Sequence, residues 1–375
     1  MPALSLRRGI ACLTLLLAVS GLPLAPLAAF EASGKLEIHY INIGQGGSTL
    51  IIGPNGTRIL YDFGNRGGDR DIVPYLRDTL GLAPADGLHY AIISHYDRDH
   101  YFGYRDLVEA DYDVLVANFQ PSDDPPDKTT LETNWLAPAR DTAAGAARGI
   151  PVGLRISLGD GAEVFVVAAD GRVFGDPDRI EVLNENDRSI ALFVRYRNFH
   201  YLLDGDLGAG AEVCTDHDTT QQDVQTKVAA ALLSLGEISA EEGVDVLHIA
   251  HHGSESSTSA AYFNLMKPEV GLISVGLNQG TFLHPRRDVV DRVLIGNNRA
   301  SCVTAPPLAA LFQTEEGVAG CSSTGCTSFT GQPVGDIKLS TDGITGYEIT
   351  ATGRVHGGNV QQIGVLQFPL DESLP

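Results

Sequence analysis

The sequence predicts a mixed α/β (α+β) fold in one large domain, and three observations support this prediction. Short apolar segments typical of strands alternate with glycine-rich turns through the first half of the 375-residue chain. Two other segments, 71–80 and 222–235, carry apolar residues at helical spacing. The composition, with 43% hydrophobic residues, 42 glycines and one tryptophan, excludes a disordered protein and suits a loop-rich enzyme better than a helical bundle.

The predicted elements follow one another without a Pro/Ser linker or an internal repeat, so residues 30–300 are predicted to form one domain. The predicted strands are 36–43, 48–52, 57–61, 89–93, 113–118, 163–168, 190–196, 199–203, 244–249 and 270–275. Residues 120–150, rich in Pro, Asp and Ala, predict a surface excursion with one helix. Residues 301–350 predict a Cys-bearing C-terminal β extension of the same domain, and 351–375 a last strand and tail.

The first 29 residues have the pattern of a secretory signal peptide. Arg7 and Arg8 precede an apolar stretch that is short for a membrane span, and small residues at 27–29 offer a cleavage site. The alternative is an uncleaved membrane anchor. The pattern predicts a periplasmic or extracellular protein with no stable membrane insertion after cleavage.

The cysteines and the charge agree with an exported protein that does not bind long DNA. An even number of cysteines outside the cytosol favours disulfides over a zinc knuckle, but their connectivity cannot be deduced. The net charge of −21 disfavours a protein that holds DNA with massed Lys and Arg, although it permits contact with phosphates through metals. The four cysteines after the signal segment are Cys214, Cys302, Cys321 and Cys326.

Four polar clusters each directly follow an apolar strand. The densest, residues 94–100, holds four side chains able to bind a metal within six residues, His95, Asp97, Asp99 and His100. Buried carboxylates without a cation cost several kcal/mol, so this cluster indicates a cation site, with a solvated acidic loop as the alternative. The other clusters, each weak evidence alone, are Asp204-Gly205-Asp206, His251-His252-Gly253-Ser254 and His284-Pro285.

Together the clusters belong to an ordered set of six motifs between residues 36 and 295. The motifs are Asn42–Ser48, Leu60–Gly64, His95–Gly103, Asn186–Ser189 with Gly205-Asp206, His251–Ser259 and Leu283–Pro285. On these motifs the chain resembles the metallo-β-lactamase superfamily and, within it, secreted stand-alone relatives of the C-terminal domain of the ComEC/Rec2 competence proteins. Six motifs in the same order are far more specific than any one of them.

The resemblance implies a four-layer αββα metallo-β-lactamase sandwich with a metal site in the cleft at the joint edge of its two sheets. It implies that His95 and Asp97 hold one metal ion, and that Asp99 and His100 hold the other. His252 is implied to complete the second site. His251 competes with His252 for this role, and His252 is preferred because it stands in the His-Gly position that ends the equivalent strand in the superfamily.

The resemblance also implies supporting roles around the ions. Asp206 is expected to bridge the two ions, while Asp62 and Asn186 are expected to orient ligands from behind. The substrate contacts expected at the cleft, with helix N-capping as the alternative role for the hydroxyl groups, are Gln45, Ser254, Ser257 and Thr258.

Several positions depart from the superfamily pattern. Asp97 and Asn186 stand where many members have His, so the site is rich in oxygen and is expected to favour Mn²⁺ or a weakly held second ion, while Zn²⁺ stays possible. Asn42 and Gly47 stand where the relatives have Asp, which predicts altered specificity. Leu283 replaces the Gly before His-Pro, which weakens the case for His284.

The predicted function is an exported metal-dependent hydrolase, foremost a phosphodiesterase or nuclease-like enzyme. Its reaction would use a hydroxide that bridges two divalent cations. Asp99, His251 and His284 are the predicted catalytic residues, and a histidine that binds no metal would donate a proton or bond to a phosphate oxygen. A small phosphoester, another small hydrolysable substrate and single-stranded nucleic acid are all candidate partners. The alternatives are a lactonase or β-lactamase-like hydrolase of C–O or C–N bonds, and a non-catalytic secreted binding module with a structural metal site.

Overall fold

The computed structural model describes residues 30–66, 71–212, 214–215, 219–277, 282–296, 298–317, 332–351 and 363–370. The predicted signal peptide, Cys321 and Cys326 lie outside these residues. The one disulfide found within them joins Cys214 to Cys302, as expected of an oxidising compartment. No helix in these ranges is long and apolar enough to cross a membrane.

The described strands form two sheets of nine strands each. The first sheet has the order β18-β17-β16-β1-β2-β3-β4-β5-β6, from Leu36–Tyr40 (β1), Thr49–Ile52 (β2), Arg58–Tyr61 (β3), Leu88–Ile92 (β4), Val114–Gln120 (β5), Arg148–Gly149 (β6), Ile337–Thr341 (β16), Gly346–Ala351 (β17) and Leu366–Pro369 (β18). The second has the order β15-β14-β13-β12-β11-β10-β8-β7, with β9 on β8, from Arg155–Gly159 (β7), Ala162–Ala169 (β8), Arg172–Val173 (β9), Ala191–Tyr196 (β10), Phe199–Leu203 (β11), Val246–His248 (β12), Val270–Ile273 (β13), Ala310–Gln313 (β14) and Gln332–Pro333 (β15).

The described helices are short apart from one. They are Ile72–Pro74 (α1), Arg98–Tyr101 (α2), Tyr104–Glu109 (α3), Thr129–Leu131 (α4), Ala137–Arg140 (α5), Gln225–Leu235 (α6), Ala260–Met266 (α7) and Arg287–Val289 (α8). Wider π-type turns at Tyr75–Thr79, Glu132–Leu136 and Val290–Leu294 extend α1, α4 and α8, and 3₁₀ turns occupy Pro84–Asp86, Glu185–Arg188 and His251–Gly253. The helix α6 ends at Gly236, whose left-handed backbone (φ 68°) is typical of a helix C-terminus.

Strand alternation divides the apolar side chains among three cores and thereby builds four layers. On β8, Val164 and Val166 enter a core shared by the two sheets, while Phe165 faces α6 and α7 on the outside. On β3, Ile59 likewise enters the shared core, while Leu60 packs in an outer core with α3 and Trp135. The order helix–sheet–sheet–helix confirms the predicted αββα sandwich.

The parallel strands in the middle of each sheet decide where the polar clusters meet. In the first sheet β3 and β4 are parallel, and in the second β11, β12 and β13 are parallel. The clusters at 62, 94–100, 204–206 and 251–254 all follow the carboxyl ends of these strands. Carboxyl ends of parallel strands lie at one edge of a sheet, so this topology gathers the clusters at one cleft.

Most predicted strands are present to within two or three residues, and several elements lie outside the predictions. The helix predicted at 71–80 begins as α1 and continues as a π-type turn, and the excursion at 120–150 contains one helical stretch, 129–140. The short helices α2, α3 and α7 were not predicted. The C-terminal segment supplies strands to both sheets, since β14 pairs with β13 and β16 pairs with β1.

Candidate metal centre

Three histidine rings at the cleft are each fixed through Nδ1. His100 Nδ1 lies 2.7 Å from Asp62 Oδ2, and His252 Nδ1 lies 2.7 Å from the carbonyl oxygen of Ser274, to which it donates. His95 Nδ1 lies 2.8 Å from Ser94 Oγ. A histidine held at Nδ1 presents Nε2 in a defined direction, and this is the usual arrangement behind a metal-binding histidine.

The Nε2 atoms of these rings converge on Asp206. Oδ2 of Asp206 lies 3.3 Å from His100 Nε2, 3.6 Å from His252 Nε2 and 3.9 Å from His95 Nε2. Asp97 Oδ2 approaches His95 Nε2 at 3.6 Å, and Asp99 Oδ2 approaches His252 Nε2 at 3.5 Å. Asp97 therefore joins the cluster beside His95, and Asp99 joins it beside His252.

Two overlapping groups of side chains can each hold a cation. In each group three ligand atoms lie within 4.8 Å of one another, and His100 belongs to both. Nε2 of His95, His100 and His252 and Oδ1 of Asp206 are buried and make no hydrogen bond within the described residues. A buried polar atom without a hydrogen bond costs folding free energy. Four such atoms within these two groups of side chains fit a bound cation. The groups are His95, His100 and Asp206, and Asp99, His100 and His252.

The carboxylates give the site a strong preference for positive charge. Although burial disfavours the imidazolium form, the charges of Asp206, Asp62 and Asp99 raise the pKa of His100 well above its ordinary value. Burial also disfavours the carboxylate form of Asp206, yet the neighbouring His100, His252 and His251 lower its pKa well below the ordinary value. The same carboxylates that hold a proton on His100 favour a divalent cation in its place.

Close approach of neighbouring atoms explains Gly46 and Gly47, two of the three glycines of the first motif. A side chain at Gly46 (φ 127°) would overlap the backbone carbonyl oxygen of Asp99. A Cβ at Gly47 would lie 2.9 Å from Asp62 Oδ2 and 3.1 Å from His100 Nδ1. The Asp that relatives carry at position 47 therefore has no room here unless the Asp62–His100 pair shifts.

His251 occupies a polar environment beside the centre. Its Nδ1 lies 2.8 Å from Ser256 Oγ, its Nε2 lies 3.3 Å from Asn186 Nδ2, and Gln221 Nε2 also contacts the ring. Its Nε2 is 3.9 Å from Asp206 Oδ2. Burial lowers its pKa to about 4, so the ring is neutral at neutral pH. Of the two adjacent histidines, His252 thus lies within reach of both Asp99 and Asp206, and His251 approaches Asp206 alone.

His284 packs beside the two adjacent histidines, His251 and His252. Its ring centroid is 5.2 Å from that of His251 and 5.9 Å from that of His252. Burial, together with the charges of His252 and His251, lowers the pKa of His284 to about 3. Leu283 before it has a left-handed backbone (φ 57°), which accounts for the Gly that relatives have at this position.

The predicted substrate contacts fall into two groups. Ser254 is bonded to Ser256 beside His251, and Gln45 Oε1 accepts from the backbone N–H of Gly276 at 3.2 Å. Ser257 and Thr258, in contrast, are fully buried, and the Ser257 hydroxyl donates to the carbonyl oxygen of Leu207. Both residues lie in the loop before α7, and Ser259 beside them caps that helix.

A buried polar network behind the centre was missed by sequence reasoning. The Asp204 carboxylate accepts hydrogen bonds from Gln225 Nε2 at 2.6 Å and from the Tyr262 hydroxyl at 3.0 Å, and it lies 3.1 Å from His248 Nδ1. Gln225 Oε1 in turn accepts from the backbone N–H of Thr258. The network links the strand end that carries Asp206 to the loop after His252. Its only sequence signal was an acid at the end of an apolar strand.

Comparison with known proteins agrees with the motifs. No family model matches the chain. It is 26% identical over 262 residues to Recombination protein 2 of Haemophilus influenzae and 23% identical over 281 residues to ComE operon protein 3 of Bacillus subtilis. These matches cover 68% and 69% of this chain but only 26% and 30% of the relatives, so the chain spans less than a third of either relative's length.

Solved structures of metallo-β-lactamase fold proteins also align with the chain. The protein YhfI from Bacillus subtilis aligns over 74% of this chain and 85% of its own, at 11% identity and a TM-score of 0.37. MEM-A1, a subclass B3 metallo-β-lactamase from a soil metagenome library, aligns over 60% of this chain and 78% of its own, at 18% identity and a TM-score of 0.33. The predicted resemblance to ComEC/Rec2 proteins is confirmed at the level of sequence, and the two packed sheets agree with the predicted metallo-β-lactamase fold.

Proposed function

We propose that the protein is an exported metal-dependent hydrolase that cleaves phosphodiesters with two divalent cations. The observation that carries the proposal is the convergence of three buried Nε2 atoms on the Asp206 carboxylate, where those nitrogens and Asp206 Oδ1 make no hydrogen bond within the described part of the chain. Each ring is fixed from behind by a bond at Nδ1. A site prepared in this way fits cations better than any role in stability, because burying these groups without a cation is unfavourable.

In this proposal His95, Asp97 and Asp206 would hold one ion. Asp99, His100 and His252 would hold the other, with Asp206 close enough to contribute to both. Three carboxylates accompany three imidazoles, so the donor set accepts Mn²⁺ as well as Zn²⁺.

The protein's own side chains supply orientation and hydrogen bonds around the ions. When bound, the two cations activate water for attack and neutralise charge on the phosphate oxygens. Asp62 orients His100. The neutral ring of His284, whose Nδ1 makes no hydrogen bond within the described residues, offers a hydrogen bond to a phosphate or leaving-group oxygen, whereas both nitrogens of His251 already have polar partners. With a pKa of about 3, the His284 ring acts as a hydrogen-bond donor rather than as a source of a full proton at neutral pH.

Location and relatives favour a phosphodiester as the substrate. The signal-peptide pattern at 1–29 and the Cys214–Cys302 disulfide both favour an oxidising compartment outside the cytosol. One relative is named Recombination protein 2, and recombination acts on nucleic acid. The net charge of −21 makes short or single-stranded phosphodiesters better candidates than long duplex DNA.

Reconstitution with metal tests the proposal. Protein stripped of metal and reloaded with Mn²⁺ or Zn²⁺ should cleave bis-p-nitrophenyl phosphate or single-stranded DNA, and the metal-free protein should not. Asp206→Asn should lower turnover by at least about a hundredfold, because it removes the shared carboxylate. Asp86→Asn is the matched control, since Asp86 accepts backbone N–H bonds before β4, at the end of the strand opposite the centre.

Two results would contradict the proposal. One is the absence of phosphodiester turnover with either metal, and the other is full activity of Asp206→Asn. The same loaded protein offered a lactone and nitrocefin separates phosphodiester cleavage from hydrolysis of C–O or C–N bonds.

A further inference from the structure

An exposed aromatic ring lies beside a group of three histidines, His251, His252 and His284, whose ring centroids are 5.2, 5.9 and 6.1 Å apart. Phe282 is 67% exposed, and its ring centroid lies 5.9 Å from that of His284, at an interplanar angle of 36°. His284 in turn adjoins His251 and His252. Large apolar side chains exposed beside a site are costly to hydrate, and they commonly mark a surface that a ligand covers.

Packing and a backbone hydrogen bond fix residues 283–286, which directly follow Phe282. Pro285 packs against Gly253, where an added Cβ would lie 2.7 Å from Pro285 Cβ, and against Gly317. The Arg286 backbone N–H donates to the carbonyl oxygen of Gly253 at 2.8 Å. Leu283, 43% exposed, adopts a left-handed backbone (φ 57°) that costs a non-glycine residue about 1–2 kcal/mol. The fold therefore holds the Phe282 ring beside the cleft at some cost in stability.

The His284 ring beside Phe282 has a nitrogen atom that lacks a hydrogen-bond partner in the described part of the chain. His284 is only 5% exposed, and its Nδ1 makes no hydrogen bond within the described residues. A flat ring next to a buried, unbonded ring nitrogen is suited to a ligand that has both a flat face and a polar group.

The charge of the protein limits how such a ligand can be bound. Arg286, the described cation nearest in sequence, is paired with Glu255 and lies 3.6 Å from Asp288, so its charge is compensated. Affinity for a nucleotide must then come from the metal centre and from stacking rather than from massed Lys and Arg. Stacking of a base on an aromatic side chain contributes about 1–3 kcal/mol and tolerates any base sequence.

We propose that Phe282 is a stacking platform for the base next to the scissile phosphate, so that the substrate is a nucleotide phosphodiester of any base sequence. This inference rests on the proposed function and names its substrate class. His284 lies between base and phosphate, where its ring can bond to the sugar or phosphate. Phe282 determines specificity for a flat ring and takes no part in the chemical step.

Two phosphodiesters that differ only in the base test the inference. Metal-loaded full-length protein is assayed for kcat/KM on a thymidine dinucleotide and on the same compound with hydrogen in place of each base. Phe282→Ala should lower kcat/KM on the dinucleotide by about tenfold and leave the abasic compound unchanged. Phe282→Tyr keeps the ring and should retain activity, whereas Phe282→Leu keeps apolar volume without a ring and should behave like the Ala variant.

Binding of a product separates this inference from the proposed function. A 2-aminopurine nucleoside monophosphate, which has no diester bond, should lose fluorescence on binding to the wild-type protein and not on binding to Phe282→Ala. If the wild type cleaves no diester, the proposed function fails, and this quenching alone supports or refutes the platform. An equal loss of kcat/KM on both diesters, or no loss on either, overturns the inference. Unchanged kinetics with loss of a dimer in Phe282→Ala also overturns it, because the patch is then an interface between copies.

Discussion

Asp62 gives the sharpest single perturbation of the centre, because its two oxygens serve two different donors. Oδ2 accepts from His100 Nδ1 at 2.7 Å and Oδ1 accepts from the Ser94 backbone N–H at 2.6 Å. The side chain is 1% exposed, and its backbone is left-handed (φ 61°). In Asp62→Asn the shape is kept, but the amide NH₂ must face one of these two donors.

The expected effect has two parts. Loss of a carboxylate behind a metal-binding histidine typically weakens metal binding 10- to 100-fold, or about 1.4–2.7 kcal/mol. A buried donor left without an acceptor costs about 1–3 kcal/mol of folding free energy. Because His100 belongs to both groups of candidate ligands, the weaker binding should reach both ions, and most strongly the ion that Asp99, His100 and His252 are proposed to hold.

Competition against a chelator of known affinity measures the metal affinity, and urea unfolding of the metal-free protein measures the folding free energy. Asp86→Asn again serves as the control, because the Asp86 carboxylate likewise accepts two hydrogen bonds, both from backbone N–H groups. Asp86 precedes β4, whereas the metal centre follows that strand. Wild-type metal affinity in Asp62→Asn, or equal weakening in both variants, would refute the assignment of Asp62 to His100.

Three further outcomes follow from the backbone and from burial. Gly46→Ala should unfold at lower urea and lose metal binding, since its Cβ would overlap the Asp99 carbonyl; a wild-type midpoint would show that the approach is not tight. Leu283→Gly should be neutral or up to about 1 kcal/mol more stable in the same assay, because glycine adopts φ 57° without strain; a loss above about 1 kcal/mol would contradict this. His200 has its pKa lowered to about 4 by burial and by Arg195, so the unfolded chain takes up its proton first as pH falls below about 6.5. Between pH 7 and pH 5 the wild type should therefore lose about 2 kcal/mol more than His200→Gln, and parallel pH profiles of the two proteins would exclude this contribution.

The sequence was most informative where residues able to bind a metal stand directly after a predicted strand. The order of motifs was sufficient to bring His95, Asp99, His100, Asp206 and His252 to one cleft, because parallel strands deliver their carboxyl ends to the same edge. The strands were predicted as short apolar segments between glycine-rich turns, and β8 packs apolar side chains on both of its faces. The roles of these five residues as metal ligands remain a prediction.

Other features depend on contacts between segments distant in the chain, which no local pattern reveals. The partner that fixes His252 is the backbone carbonyl oxygen of Ser274, and a carbonyl has no residue signature. The burial of Ser257 and Thr258 follows from the packing of α7 and the Gln225 side chain, so their hydroxyls could not be separated from those facing the cleft. The helix α7 was missed because a seven-residue helix is too short for a periodic signal.

The central claim is that side chains from three strand ends would hold two divalent cations, with Asp206 shared between them. Elemental analysis of the protein after equilibration with Mn²⁺ or Zn²⁺ and removal of free metal tests this claim most directly. We expect two ions per wild-type chain and at most one, weakly held, in Asp206→Ala. Fewer than one ion in the wild type, or two ions retained by Asp206→Ala, would contradict the account.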